Sequence, residues 1–390
     1  MIIMNMKKKK NSTVFAAAFA AVLMTALLCV LSGCGGTKTN SGSGEKPENI
    51  VTVTDHNGNV VSVPEKIERI AVCDIYPLPS VLSIFFDSAD KIVAMAPPSM
   101  AAAKNGLLSV LYPEILKADT MAISAADVNT EELMALDPQV VFYSASNSAI
   151  GEKLTRAGFN AVAISASKWE FNAVETLSQW IDLLSQIFPE AASGRAELVR
   201  EYSRQALETI AERTEKLTEE ERRKIFFLFQ YSEDSLVTAG QRAFGQWWAD
   251  AIGAVNTAAE LSDDLSAKVT MEQVYLWNPE MILVSNFTTA YPEDLYQNTV
   301  GNYDWSGIDA VARRQVYKMP LGMYRSYTAG IDTPVTLFWL AKTVYPELFE
   351  DIDVTEKTME YYETVFGVKL TEEQAASIFA PPADAGILGN

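Results

Sequence analysis

Pro189-Glu-Ala-Ala-Ser-Gly-Arg195-Ala-Glu-Leu-Val-Arg200-Glu-Tyr-Ser-Arg-Gln205-Ala-Leu-Glu-Thr-Ile210-Ala-Glu-Arg-Thr-Glu215-Lys-Leu217 reads as one long helix. Ala196, Val199, Tyr202, Ala206, Ile210 and Leu217 recur at helical steps, with Arg213 in phase, so they share one stripe. The other faces are charged, and Glu197–Glu201 and Arg200–Arg204 place like charges at i,i+4, so ion pairing is not what holds the helix. Roughly 27 residues at ~1.5 Å each span ~40 Å, about the width of a small domain. Pro189 suits a first helical turn. The stretch predicts an exposed strut between two lobes.

The chain on either side fits that reading. Val51–Pro64 holds two alternating runs around Asn57-Gly58, the signature of a hairpin. Short apolar, β-branched runs follow at 69–74, 91–95, 140–143 and 161–164, with helical segments between them. After the strut the same alternation resumes at 225–229, 281–284 and 315–319. Such strands imply mainly parallel sheets covered on both faces. Asn129-Thr-Glu131-Glu-Leu-Met-Ala-Leu-Asp-Pro138-Gln-Val-Val-Phe142 also matches Thr270-Met-Glu272-Gln-Val-Tyr-Leu-Trp-Asn-Pro279-Glu-Met-Ile-Leu283 in pattern, 141 residues apart. The fold class is therefore α/β, with two Rossmann-like lobes joined by one long rigid helix. The expected divisions are 51–188 for the first lobe, 189–221 for the connecting helix, and 222–390 for the second lobe with its helical tail. That tail is expected to end in a loose Pro-Pro-Ala segment.

Residues 1–33 have the form of an export signal: Lys7–Lys10, then an apolar run from Val14 to Val30. The ending Leu31-Ser-Gly-Cys34 resembles the lipobox of bacterial lipoproteins, cut before a cysteine that receives diacylglycerol. Residues 34–50 have the composition of a flexible tether. Acylation of Cys34 implies anchoring to the extracytoplasmic face of the cell membrane, at a cell surface or in a periplasm. Loss of the four signal lysines takes the formal charge from −19 to −23. So acidic a chain is a poor partner for nucleic acid or anionic lipid, and its contact with the membrane is through the anchor only. Cys29 leaves with the signal, so Cys73 is a lone thiol.

Three further motifs carry a resemblance. They are Thr54-Asp55…Gly58…Val63-Pro64…Arg69-Ile70, Gly240…Phe244-Gly245…Gly253-Ala-Val-Asn256, and Trp305-Ser-Gly-Ile308-Asp-Ala310-Val…Gln315-Val-Tyr317. In this order, around the repeat and the strut, they resemble the substrate-binding lipoproteins of ABC importers for iron complexes and vitamin B12. The resemblance implies a ligand cleft between the lobes, an ABC permease with its ATPase as partner, a monomer, and no catalysis. It also implies that Glu131 and Glu272, one per lobe, dock onto the permease.

Loops after strand ends are where open parallel sheets bind ligands. Here they carry Tyr76, Tyr143, Trp169, Tyr231, Trp247, Phe287, Tyr291, Tyr324 and Tyr327, with Arg242 and Arg325 among the cations. Aromatic walls with a few fixed polar groups suit a large organic chelate, and arginine suits its oxyanion groups. The expected ligand is an iron chelate of the ferric siderophore type. Alternatives are haem, a corrinoid or an oxyanion in the same role, or a surface chelatase or hydrolase. With His56 the only histidine, neither a multi-histidine metal site nor a Ser-His-Asp set can be built, so no metal, cofactor or catalytic residue is expected. One connecting helix offers few hinge points, so lobe closure of only a few degrees is expected.

Overall fold

The computed structural model describes residues 49–387, except 125–126, 192–193 and 262–265. The signal, Cys34 and nearly all of the tether lie outside the described residues.

The chain opens with an antiparallel hairpin, β1 (Ile50–Thr54) and β2 (Val60–Pro64). Its turn is tied by buried Asp55, whose Oδ1 accepts from the backbone N–H of Asn57 and Asn59, while Gly58 takes the positive φ of 84°. The first lobe is built on β3 (Ile70–Val72), β4 (Ile92–Met95), β5 (Val140–Ser144) and β6 (Ala161–Ile164), all parallel, in the spatial order β4-β3-β5-β6. In the second lobe, β7 (Lys224–Leu228) leads into a small antiparallel sheet of β8 (Gln230–Ser232), β9 (Ser235–Thr238) and β11 (Ala267–Lys268). The main parallel sheet is completed by β10 (Val255–Asn256), β12 (Met281–Val284) and β13 (Val316–Lys318), in the order β10-β7-β12-β13.

Taking each main sheet in chain order, both read second-first-third-fourth. The sequence repeat is therefore a repeat of topology. Each copy places a short capped helix, Thr130–Ala135 or Met271–Trp277, immediately before the third strand.

The connecting helix runs Arg195–Thr214, 20 residues, shorter than the 189–217 read from the sequence. Pro189 follows the preceding helix, Ala173–Ile187, and Gly194, at φ 74°, turns the chain before the new one begins. The helix is also not a free strut. Val199, Ser203, Ala206, Ile210 and Thr214 form a buried stripe, packed between Ala173–Ile187 of the first lobe and Thr333–Val344 of the second. Ser203 and Thr214 hide their hydroxyls by donating to the carbonyls of Val199 and Ile210. One apolar cluster runs from Val72 and Phe142 through Val199, Ala206 and Ile210 to Phe227 and Leu283. The lobes thus share a core.

Arginines fix both ends of the helix. Arg195 donates to the carbonyls of Ile84 (2.7 Å) and Phe85, the last turn of the first-lobe helix Leu78–Phe86. Arg213 donates to the Leu348 carbonyl at 2.8 Å and forks onto Asp351 in the second lobe. The Arg204 fork onto Glu201 and Glu208 is exposed and adds little.

Truncation Ile210→Ala is expected to cost about 2–5 kcal/mol in a denaturant titration. Because the cavity opens in a shared core, hydrogen exchange should rise in β5 and β12 together. A rise confined to one lobe would contradict the shared core.

Candidate functional site

Loops that follow β4 and β6 of the first lobe meet second-lobe segments at a gap between the lobes. At one end the loop after β6, the first lobe's fourth strand, meets the second-lobe segment between β9 and β10. The loop Ser167–Asn172 after β6 stands there across from Gln241–Ala243, Gln246, Trp247, Asp250 and Ala259, enclosing a cavity of about 720 Å³. Phe171 touches Phe244 across it, ring centroids 5.4 Å apart. At the other end Pro98 and Leu107, after β4, bond to Arg325 and Gly322, after β13.

The open cavity is walled by Trp169 and Trp247, both half-buried. His56, from the hairpin, props the first tryptophan edge-on at 4.9 Å. Its Nδ1 accepts the Ser165 N–H at 3.0 Å, and the Lys168 ammonium donates to its backbone carbonyl at 2.9 Å. Glu170 and Phe171 both lie in the left-handed region, φ 52° and 58°. Two consecutive side-chain-bearing residues there store strain of the kind that collects at ligand sites. Arg242 is exposed and forms no ion pair among the described residues. Lys168 and Arg242 are balanced by Glu170 and Asp250, and burial raises the Asp250 carboxyl.

A second group surrounds Arg325, which is 1% exposed. Its guanidinium lies 5.1 Å from the Phe287 ring and donates to the Tyr324 hydroxyl at 3.0 Å. Phe287 stacks on Phe229, and Tyr76 packs on the same cluster. Lys318 sits under the Tyr291 ring and donates to the carbonyls of Ser285, Thr288 and Ala290 at 2.7–2.9 Å. Burial, and then the charge of Arg325, push its ammonium down to about 7. Gly322 is needed here, because a β-carbon would meet the Asp332 carboxylate at 2.4 Å.

The structure therefore gathers the expected residues into two sets: Trp169, Arg242 and Trp247 at one end of the gap, Tyr76, Phe287, Tyr291, Tyr324 and Arg325 at the other. Three stand apart. Tyr143 packs against Gly151 on the outer helix of the first lobe. Tyr231 is in the second-lobe core, accepting from Trp305 Nε1 at 2.9 Å and donating to the Val300 carbonyl at 3.1 Å. Tyr327 is buried, its hydroxyl accepting the Gly245 N–H at 3.1 Å. For Tyr143 and Tyr231 period-two alternation decides this: neighbours on a strand point to opposite faces, so nearness to a strand end does not place a side chain in the gap. The strained pair Glu170–Phe171 carried no sequence signal.

Residues 111–321, more than half of the chain, match the family model for periplasmic binding proteins. The chain belongs to the periplasmic binding protein family. Its relatives include the molybdate-binding protein MolA of Haemophilus influenzae, 26% identical over 83% of this chain and 93% of that protein. A periplasmic solute-binding protein from Veillonella parvula has a similar solved structure, with a TM-score of 0.73 and 27% identity over 85% of this chain and 97% of that one. CeuE of Helicobacter pylori with Ni(II) bound shares the fold, with a TM-score of 0.67 at 21% identity over 84% and 99%. Proteins of this family are solute-binding, extracytoplasmic components of ABC transporters. No described helix is long and apolar enough to cross a membrane.

The His56 imidazole is held down at about 4, by burial first and the Lys168 charge second, against 6.5 when free. A depressed folded value means its stability contribution is complete above pH 6.5 and is lost as pH falls towards 4. His56→Gln is therefore expected to flatten the stability profile across that window in acid-titrated thermal unfolding. An unchanged slope would remove His56 as the cause.

Proposed function

We propose that this protein captures an iron chelate of the ferric siderophore type in the gap between its lobes and delivers it to an ABC permease. The observation that carries the reading is the open cavity: two tryptophans in its lining, an arginine without an ion pair among the described residues, and a strained loop. At about 720 Å³ it falls within the roughly 300–1,000 Å³ that holds drug-sized organic ligands. The tryptophan faces would pack on the organic arms, and Arg242 would meet an oxyanion group. The role is transport without turnover.

A second reading is a bare oxyanion. It is favoured by the molybdate-binding relative and by the buried cations Arg325 and Lys318. A small tetrahedral anion would leave the tryptophan cavity unused, so the chelate reading is preferred.

Docking would use Glu131 and Glu272. Both are exposed in the first turn of matching helices, with Met134, Tyr275 and Leu276 exposed alongside. One carboxylate per lobe would fix the orientation on a basic permease surface. Anchoring through Cys34, as a monomer, would keep the protein beside its permease.

Ferric tris-catecholate and ferric citrate are expected to quench tryptophan fluorescence saturably at one to one, without conversion of the chelate. Trp247→Ala or Arg242→Gln should weaken binding on the order of 10-fold or more, as expected for a central aromatic or arginine anchor. Molybdate binding with no response to either chelate would favour the oxyanion reading. Glu131→Lys with Glu272→Lys should abolish uptake in cells and leave chelate affinity intact; undiminished uptake would remove the docking assignment.

A further inference from the structure

The Pro-Pro-Ala ending does not hang loose. Pro381–Ile387 enters the gap between the lobes at the Arg325 end. Ala385 is fully buried, in a small cluster with Ala102 of the first lobe and Leu321 and Tyr324 of the second. Gly386 lies so close to the Thr288 carbonyl that a β-carbon would fall 1.9 Å from its oxygen. The Tyr291 hydroxyl donates to the Pro381 carbonyl, and the Asn105 amide to that of Asp384 at 3.4 Å.

The segment also occupies Arg325. Nη2 donates to the Ile387 carbonyl at 3.0 Å and Nε to that of Ala385 at 3.4 Å. The Nη1 donors go to the Pro98 carbonyl and the Tyr324 hydroxyl, each at 3.0 Å. Among the described residues every acceptor of this buried cation is neutral, and the same holds for Lys318 beside it. A buried charge is costly unless paired, and carbonyl dipoles pair it only in part. A carboxylate or other oxyanion would do so fully, through two hydrogen bonds at once.

We propose that Pro381–Ile387 is a ligand-displaceable occupant of the cleft, whose carbonyls stand in at Arg325 for an oxyanion group of the ligand, so that the segment sets affinity and selectivity by competing for that place. The proposal rests on the reading of the gap as the ligand site. A ligand with an oxyanion arm displaces the segment and spans both ends of the gap. One without such an arm fills only the tryptophan cavity. Affinity is reduced by the fraction of molecules in which the segment is seated.

The test uses three forms of the full mature chain and one control variant, with molybdate, ferric citrate and ferric tris-catecholate as probes. One is unmodified. In the second, Gly386→Val makes the seated segment sterically impossible. In the third, Asn105→Cys with Asp384→Cys ties the segment down by a disulfide. Hydrogen exchange at residues 385–387 reports whether the segment is seated. The expected result is that Gly386→Val exposes those amides and binds molybdate or ferric citrate about 10-fold or more tightly. Arg325→Gln in that background should erase the gain. The oxidised double-cysteine form should lose a similar factor and regain it on reduction. Affinity that is unchanged or weaker once the segment is free would overturn the proposal, because the segment would then be a fixed wall of the site. Undiminished binding by the disulfide-tied form would also overturn it, whatever Gly386→Val does. If the unmodified chain binds a probe and both variants match it, only this proposal fails. If no form binds any probe, the reading of the gap fails with it.

Discussion

The packing of one helix between two lobes is the constraint on which the rest of the molecule depends. Val199, Ala206 and Ile210 belong to a single apolar cluster that reaches both parallel sheets. Interiors are close-packed and resist continuous deformation, so the lobes cannot slide past one another without opening voids in that cluster. Arg195 and Arg213 reinforce this by tying the ends of the helix to backbone carbonyls of opposite lobes. A gap held this way is largely pre-formed. The arrangement of the lobes is set before a ligand arrives, and specificity must come from the lining.

That lining is unequal at its two ends. Loops of the two lobes meet twice, once around Trp169 and Trp247 and once around Arg325. The first meeting leaves a cavity and the second is filled. The filling comes from the chain itself, from a segment that contributes buried Ala385 and Gly386 and backbone carbonyls. Arg325 and Lys318 sit buried against neutral oxygens, an arrangement that favours any partner bringing a full negative charge. On the proposed reading, the guest would carry aromatic or apolar bulk at one side and oxyanion character at the other.

Much of this architecture was legible in the sequence, because it is written in periodicity. The strands of both main sheets except β10, the hairpin, and the repeat around Glu131 and Glu272 follow from short apolar runs, turn residues and capping residues. The helix stripe was read correctly at Val199, Ala206 and Ile210. Its ends were not: Pro189 and Gly194 belong to the turn before it, and a helix-compatible proline cannot be told locally from one that follows a helix. The small sheet of β8, β9 and β11 went unread because strands of two to four residues carry too little pattern. The site was legible by loop and not by side chain. Tyr143 and Tyr231 sit beside strand ends yet point into the lobes, while the strain at Glu170–Phe171 and the seating of Gly386 against Thr288 exist only in three dimensions.

The most direct measurement is a crystal structure of the protein purified from iron-limited cells with its cargo retained. The account predicts an organic guest lying between Trp169 and Trp247, with the lobes within a few degrees of the arrangement described above. A guest bound elsewhere, or lobes rotated by tens of degrees around the Arg195–Thr214 helix, would contradict it.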